Sequence, residues 1–226
     1  MPRFVRGDAA LGTQLSRRMV TASADSLTLG NRTVDVSWLK FAAQTYKVSP
    51  DINDYVLAKV PVVTSDVPNR NLQGFTYEEL VFYSPIYGRP TYKTFVGKPV
   101  HVEHRNEDPT QAKGVIFDAV LVPIPKYKIY KVVLLTGVDR TKDPDLARDV
   151  QRGDSAWSMG ALVDVFQCSV CGANVTRYPC NCFSNVGKGG LLKQKLVYEL
   201  CVGVNYIEVS LVADPADVTA WGSLLT

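Results

Sequence analysis

A β-rich α+β fold is predicted by three features of the sequence. Seven short runs rich in β-branched residues, at 55–63, 95–104, 114–122, 128–138, 156–166, 195–200 and 203–212, are separated by Pro, Gly, Asn and Asp, which is how strands are punctuated. Only two stretches carry helix start and stop signals. Between the fifth and sixth runs, a cysteine-rich segment at 167–190 reads as a loop inserted into an otherwise regular succession.

The bulk properties narrow the function classes. The chain has 226 residues, 46% hydrophobic and 21% charged, enough for one large domain with a real core and unlike a disordered or fibrous chain. Its net charge of +3 is small and scattered, which argues against nucleic acid as a partner. The longest apolar runs, such as Val132 to Leu135, fall far short of the ~20 residues that span a bilayer, so no membrane partner is expected. No apolar signal core follows the basic N-terminus, and the five cysteines are therefore read as thiols of a reducing compartment.

Residues 1–34 are polar, rich in Ser, Thr and Arg and without a sustained period; they read as a partly ordered arm or propeptide ahead of a domain at 35–226. In "TYEELVFYSPIY", Thr76 and Glu79 have the spacing of a capping box and Pro85 stops continuation. In "DPDLARDVQRG", Asp143 is the predicted N-cap, Pro144 takes the first helical position, Leu146, Ala147 and Val150 form the apolar stripe, and Gly153 terminates. That helix leads into "WSMGALVDVF". With a period of two, Trp157, Met159, Ala161, Val163 and Val165 share an apolar face, while Ser158 lies on the other between Ala156 and Gly160. Small neighbours leave space above the hydroxyl, as a nucleophilic serine requires, although a small strand residue is found in the same setting.

The two histidines are His101 and His104, so any histidine base is one of them. Alternation places His104 with the apolar Val102 and makes His101 the solvated one; a structural histidine fits the same pattern. A base needs an orienting group. Asp118 and Glu208 each sit among apolar strand residues, where an unpaired carboxylate is costly; Asp154 and Asp164 lie where solvent alone suffices.

The cysteines form C-x2-C-x8-C-x-C through Cys168, Cys171, Cys180 and Cys182. Four thiolates suit a closed tetrahedral zinc site with no position for substrate water, hence a structural metal; free thiols or a disulfide are the alternatives. Cys201 reads as a small buried apolar residue. The "GKGG" at 187–190 lacks the pattern of a phosphate loop.

The blocks "VPNRNLQGF", "FVGKPVHVEHRNEDPTQAKGVIFDAV", "LARDVQRGDSAWSMGALVDVFQCSVCG" and "YIEVSLVADPADVTAW", in that order, resemble the tailed-phage prohead (head maturation) serine proteases, T4-type and large-phage, which are similar to the herpesvirus assemblins. The resemblance spans roughly residues 55–222. It implies a small, mostly antiparallel β-barrel flanked by helices, with Ser158 as nucleophile, His104 as base and Glu208 as the third member, where herpesvirus enzymes use a second histidine. Implied substrates are phage scaffold or core proteins, the major capsid protein and the protease itself, cleaved inside the assembling prohead in the host cytoplasm; a homo-oligomer is compatible with this. Large-phage relatives carry a cysteine-rich loop after the serine strand that commonly ends in Cys and His, where this chain has Cys180 and Cys182. Trp157 stands where many relatives have a β-branched residue, and aligning the serine needs a small gap, which leaves Ser155 as a competing nucleophile. The rival readings are a noncatalytic virion or core protein that keeps the fold and a zinc-ribbon nucleic-acid module, disfavoured by the charge.

Overall fold

The long apolar runs carry the architecture. In the computed structural model, which describes residues 20–22, 26–29, 32–153 and 155–224, the strands in chain order are β1 (Val20–Ala22), β2 (Ser26–Leu29), β3 (Arg32–Asp35), β4 (Tyr55–Thr64), β5 (Gln73–Gly74), β6 (Tyr83–Ser84), β7 (Arg89–Pro90) and β8 (Pro99–Val102). They continue with β9 (Gly114–Ile124), β10 (Ile129–Asp139), β11 (Ala156–Cys168), β12 (Leu191–Leu192), β13 (Lys195–Leu196), β14 (Glu199–Val212) and β15 (Ser223–Leu224). The main sheet runs β11-β14-β8-β9-β10-β4-β15, with β5 added beside β14. It is mixed: β8 and β14 are parallel and the other long neighbours antiparallel. The β-rich α+β class is thus present.

The expected barrel does not close. The sheet curls until β11 approaches β4, but these two strands never pair. Instead the C-terminal residues cross the seam: Trp157 N–H donates to the Ala220 carbonyl and Gly222 N–H to the Ser155 carbonyl, both at 2.9 Å, and β15 pairs with β4 at Lys59 and Ala58. The curl encloses one apolar cluster that includes Val60, Phe95, Trp157, Tyr206 and Val209, with the Phe95 and Tyr206 rings stacked 3.9 Å apart. A second cluster joins Tyr55, Phe117 and Leu135 to Leu27, Val34 and Leu39.

That second cluster takes in Leu27 and Val34, so the described part of the segment read as a partly ordered arm packs against the domain. β1, β2 and β3 form an antiparallel meander whose Leu27 and Val34 are buried, because "TVDV" alternates in the strand period, although the surrounding polar residues mask it. Residues 1–19, where a removable propeptide would begin, lie outside the described residues.

Four helices are present among the described residues, Leu39–Tyr46, Tyr77–Val81, Pro144–Arg152 and Asn181–Val186; the first and last were not expected. Thr76 Oγ1 caps the second by accepting from Glu79 N–H, but that helix stops at Val81, well before Pro85, because residues 83–90 form the β6–β7 hairpin. Asp143 caps the third through Leu146 N–H, and Gly153 ends it in the left-handed region at φ 81, as predicted. The run 203–212 starts earlier than expected: β14 takes in Glu199 and Leu200 and passes through Gly203 at φ 68 without breaking, while Lys195 and Leu196 of the run 195–200 form β13. None of the described helices is long and apolar enough to cross a membrane.

Candidate active site and metal centre

Register across three strands assembles the first site. Ser158 on β11 is opposite Ser210 on β14, and Ser210 is opposite His101 on β8. Laterally paired side chains share a face, at a strand spacing of about 4.8 Å, so the three form one row. Gly160 and Glu208 form the adjacent row. A register shift between Gly160 and Ala161 leaves Ile207 unmatched, since the next pair is Ala161 with Tyr206. This bulge puts Tyr206 into the apolar interior while Glu208, two residues on, faces the polar row; without it both would face the same side.

His104 reaches this row by leaving the strand. β8 ends at Val102, and Glu103 and His104 both take the left-handed conformation at φ 51 and 54, each at a cost of about 1–2 kcal/mol for a non-glycine residue. Hydrogen bonds hold the turn: Glu103 N–H to the Leu211 carbonyl at 2.9 Å, Ala213 N–H to Glu103 Oε1 at 2.8 Å, and His104 N–H to Ser210 Oγ at 3.2 Å. The turn brings His104 Nδ1 to 2.7 Å from Glu208 Oε1. Glu208 Oε2 accepts the Ser210 hydroxyl at 2.6 Å, so both oxygens of a carboxylate only 1% exposed are satisfied.

The histidine assignment from alternation is reversed. His101 is 1% exposed, covered in the row beside Ser210, whereas the His104 side chain is 41% exposed, because strand alternation no longer applies beyond Val102. Their protonation equilibria diverge accordingly. The hydrogen bond to Glu208 raises the His104 pKa above 6.5; burial opposes, and the charges of Glu208 and Glu103 add to the rise. Burial lowers the His101 pKa below 6.5 despite the opposing charges of Glu208, Glu107 and Asp108, and Lys142 reinforces the lowering.

Of the residues expected to act together, the structure brings His104 and Glu208 into contact and puts Ser158 on the neighbouring strand; no hydrogen bond joins Ser158 to His104 among the described residues. Ser158 is 8% exposed and borders a cleft of about 350 Å³ walled by Val62, Val67, Phe75, Ile129 and Val218. Gly160 is required by its neighbour: a Cβ there would collide with Glu208 Oε1. Asp118 is excluded as orienting group because it holds Lys93 at 2.7 Å away from both histidines' strand end, and Asp164 is exposed. Asp154 lies outside the described residues, and Ser155 precedes β11, its carbonyl engaged by Gly222. Buried Lys131, whose pKa burial lowers, is not a rival base for Ser158: its ammonium is committed to Thr64 at 2.7 Å, to Asp217 at 2.6 Å and to Thr219. Sequence reasoning missed Ser210 and read Gly160 only as a small neighbour of Ser158, not as the residue opposite Glu208.

The second site is local. Cys168 ends β11, Cys171 follows in a turn closed by Gly172 N–H to the Cys168 carbonyl at 2.9 Å, Cys180 immediately precedes the helix Asn181–Val186, and Cys182 lies in it. Their sulfurs all lie within 4.8 Å of one another, with Cys171 and Cys180 Sγ 3.6 Å apart. A zinc tetrahedron with bonds of roughly 2.3 Å has S···S edges of roughly 3.8 Å, so the four residues fit that ion. Val170 N–H points at Cys168 Sγ at 3.4 Å, a donor suited to a thiolate. Burial and the neighbouring Cys171 and Cys168 thiols push Cys182 up to about 12. Burial also opposes ionisation of Cys180, but Phe183 N–H and the same two thiols bring it down to about 7. Around the sulfurs, Val170, Val175, Phe183, Val186 and Val197 form a small separate core. Cys201 is apart from them, 1% exposed within the main core, its thiol pushed up to about 12 by burial.

Compared with protein-family models, curated proteins and solved structures, the chain has no match in any of the three.

Proposed function

We propose that this chain is a serine endopeptidase of the prohead-maturation kind, with Ser158 as nucleophile, His104 as base and Glu208 as the group that orients it. The observation that carries the reading is the 2.7 Å contact between His104 Nδ1 and the buried Glu208 carboxylate, one strand away from Ser158. Nδ1–H donates to Glu208, which fixes the tautomer and leaves Nε2 unprotonated and free to take the Ser158 proton as the hydroxyl attacks a peptide carbonyl. The imidazolium then returns that proton to the leaving amine, and water repeats the sequence to release the acyl group. Glu208 stays ionised throughout and stabilises the imidazolium.

The cleft beside Ser158 supplies room for a substrate chain, and its ionic groups are already paired, Arg70 with Asp214 and Lys131 with Asp217. The curled sheet with its helices is read as an open relative of the herpesvirus-type barrel. Zinc held by Cys168, Cys171, Cys180 and Cys182 would staple the end of β11 to the helix Asn181–Val186 and take no part in bond cleavage. Substrates would be scaffold or core proteins, the major capsid protein and the chain itself, inside the assembling prohead of an infected cell.

The test is co-expression with a phage scaffold protein, with products read by intact-mass spectrometry. Defined fragments are expected from the unaltered chain and none from Ser158→Ala. Fragments unchanged by Ser158→Ala overturn the assignment, and no cleavage by either chain supports a noncatalytic virion protein instead.

A further inference from the structure

We propose that Ser210 is a positioning residue for the His104–Glu208 pair, an inference that rests on the peptidase reading above. Ser210 is 0% exposed, so its hydroxyl cannot meet a substrate and it is not a second nucleophile. What it does is close a ring of hydrogen bonds. Its hydroxyl donates to Glu208 Oε2 at 2.6 Å, Glu208 Oε1 holds His104 Nδ1 at 2.7 Å, and the backbone N–H of His104 returns to Ser210 Oγ at 3.2 Å.

Each bond controls a degree of freedom that is otherwise soft. The terminal torsion of a glutamate is broad, so a carboxylate gripped through one oxygen can swing away from the imidazole; the Ser210 proton on the second oxygen prevents this. The left-handed backbone at His104 is strained, and its N–H is held by the Ser210 lone pair at 3.2 Å, which ties the turn to β14. A single hydroxyl therefore fixes the carboxylate and the backbone that carries the base. It can do so because the bulge at Ile207 puts Glu208 and Ser210, two residues apart, on the face that meets His104.

Ser210→Ala is expected to lower kcat about 10- to 100-fold, the usual cost of removing a group that orients a reacting side chain, with KM little changed. The deshielded Nδ1–H proton resonance of His104 should broaden or disappear. Because Ser210 acts in part through Glu208 and in part on the His104 backbone, Ser210→Ala added to Glu208→Gln should cost clearly less than the product of the two single losses. An unchanged kcat with an intact Nδ1–H resonance overturns the proposal, even if thermal stability falls, and so do losses that multiply in the double variant. The resonance is also recorded in Ser158→Ala protein, where no cleavage is needed. Cleavage surviving Ser158→Ala would sink the peptidase reading, whereas a Nδ1–H signal indifferent to Ser210 would sink the positioning role alone.

Discussion

The cysteine cluster and the row around Ser158 are both small gatherings of polar side chains, but they are built over very different lengths of chain. Cys168 to Cys182 lie within 15 residues, so turn geometry and one short helix suffice to converge their sulfurs. His104 and Glu208 are 104 residues apart, and their meeting depends on a parallel pairing, a bulge and a strained turn that act together. With an ion bound, the local site would be a stabilising device that any fold can host. The distributed one exists only if the sheet forms in one register, and this couples chemistry to global structure. Separating these roles experimentally is the sharpest way to test the comparison.

The largest effect falls on the distributed site. Ser158→Ala should reduce cleavage by at least about 10³-fold, as expected when a nucleophile is removed and only binding and electrostatic help remain. The thermal unfolding curve should hardly move, because the hydroxyl has no hydrogen-bond partner among the described residues. A variant that loses stability in proportion to activity would mean that Ser158 is a packing residue.

Cys168→Ser, or chelation of a zinc-loaded sample, should give the opposite pattern. The separate core around the sulfurs would loosen, and Tm should fall by about 5–10 °C, given that 1 kcal/mol moves a chain of this size by about 2–4 °C. Below the transition, the rate per folded molecule should be unchanged. A cleavage rate that follows metal content in fully folded protein would contradict the division between the two sites.

Gly160→Ala probes where packing and chemistry meet. The added methyl competes with Glu208 Oε1 for the same space, so the carboxylate must rotate away from His104. Activity should fall about 10- to 100-fold, as for loss of an orienting group, through kcat. Equal activity would show that β14 can shift to make room and that the His104 contact is not tightly held.

How much of this was legible in the sequence follows the same divide. The cysteine spacing, the Asp143 and Thr76 caps, the long strands and the placing of Ser158 between Ala156 and Gly160 were readable because each rests on neighbours within a turn or a strand period. The exposure of the two histidines was read the wrong way round, because alternation was extended past Val102, where two left-handed residues end it, and because both faces of β8 are covered at His101. Glu208 and Ser210 could be seen as polar residues amid apolar ones, but their common face opposite Tyr206 depends on the Ile207 bulge, which no local pattern marks. The open seam was equally hidden. It depends on residues 220–224 crossing between β11 and β4, a tertiary event on which local propensity is silent.

The histidines also supply the smallest and most discriminating measurement. In an NMR titration, His104 should titrate above 6.5, raised first by its Glu208 hydrogen bond, and His101 below 6.5, lowered first by burial. A base works only when neutral, so kcat/KM should rise with pH along an acid limb whose midpoint follows His104 and lies above 6.5. Glu208→Gln removes the negative charge that favours the imidazolium, and that midpoint should move to lower pH while the remaining activity drops. Were His101 the base, the acid limb would instead lie below 6.5, and removing the Glu208 charge would act on a ring whose pKa is governed by burial. The two histidines thus make opposite predictions from the same curve, because one is exposed at the end of a strained turn and the other is enclosed within the sheet.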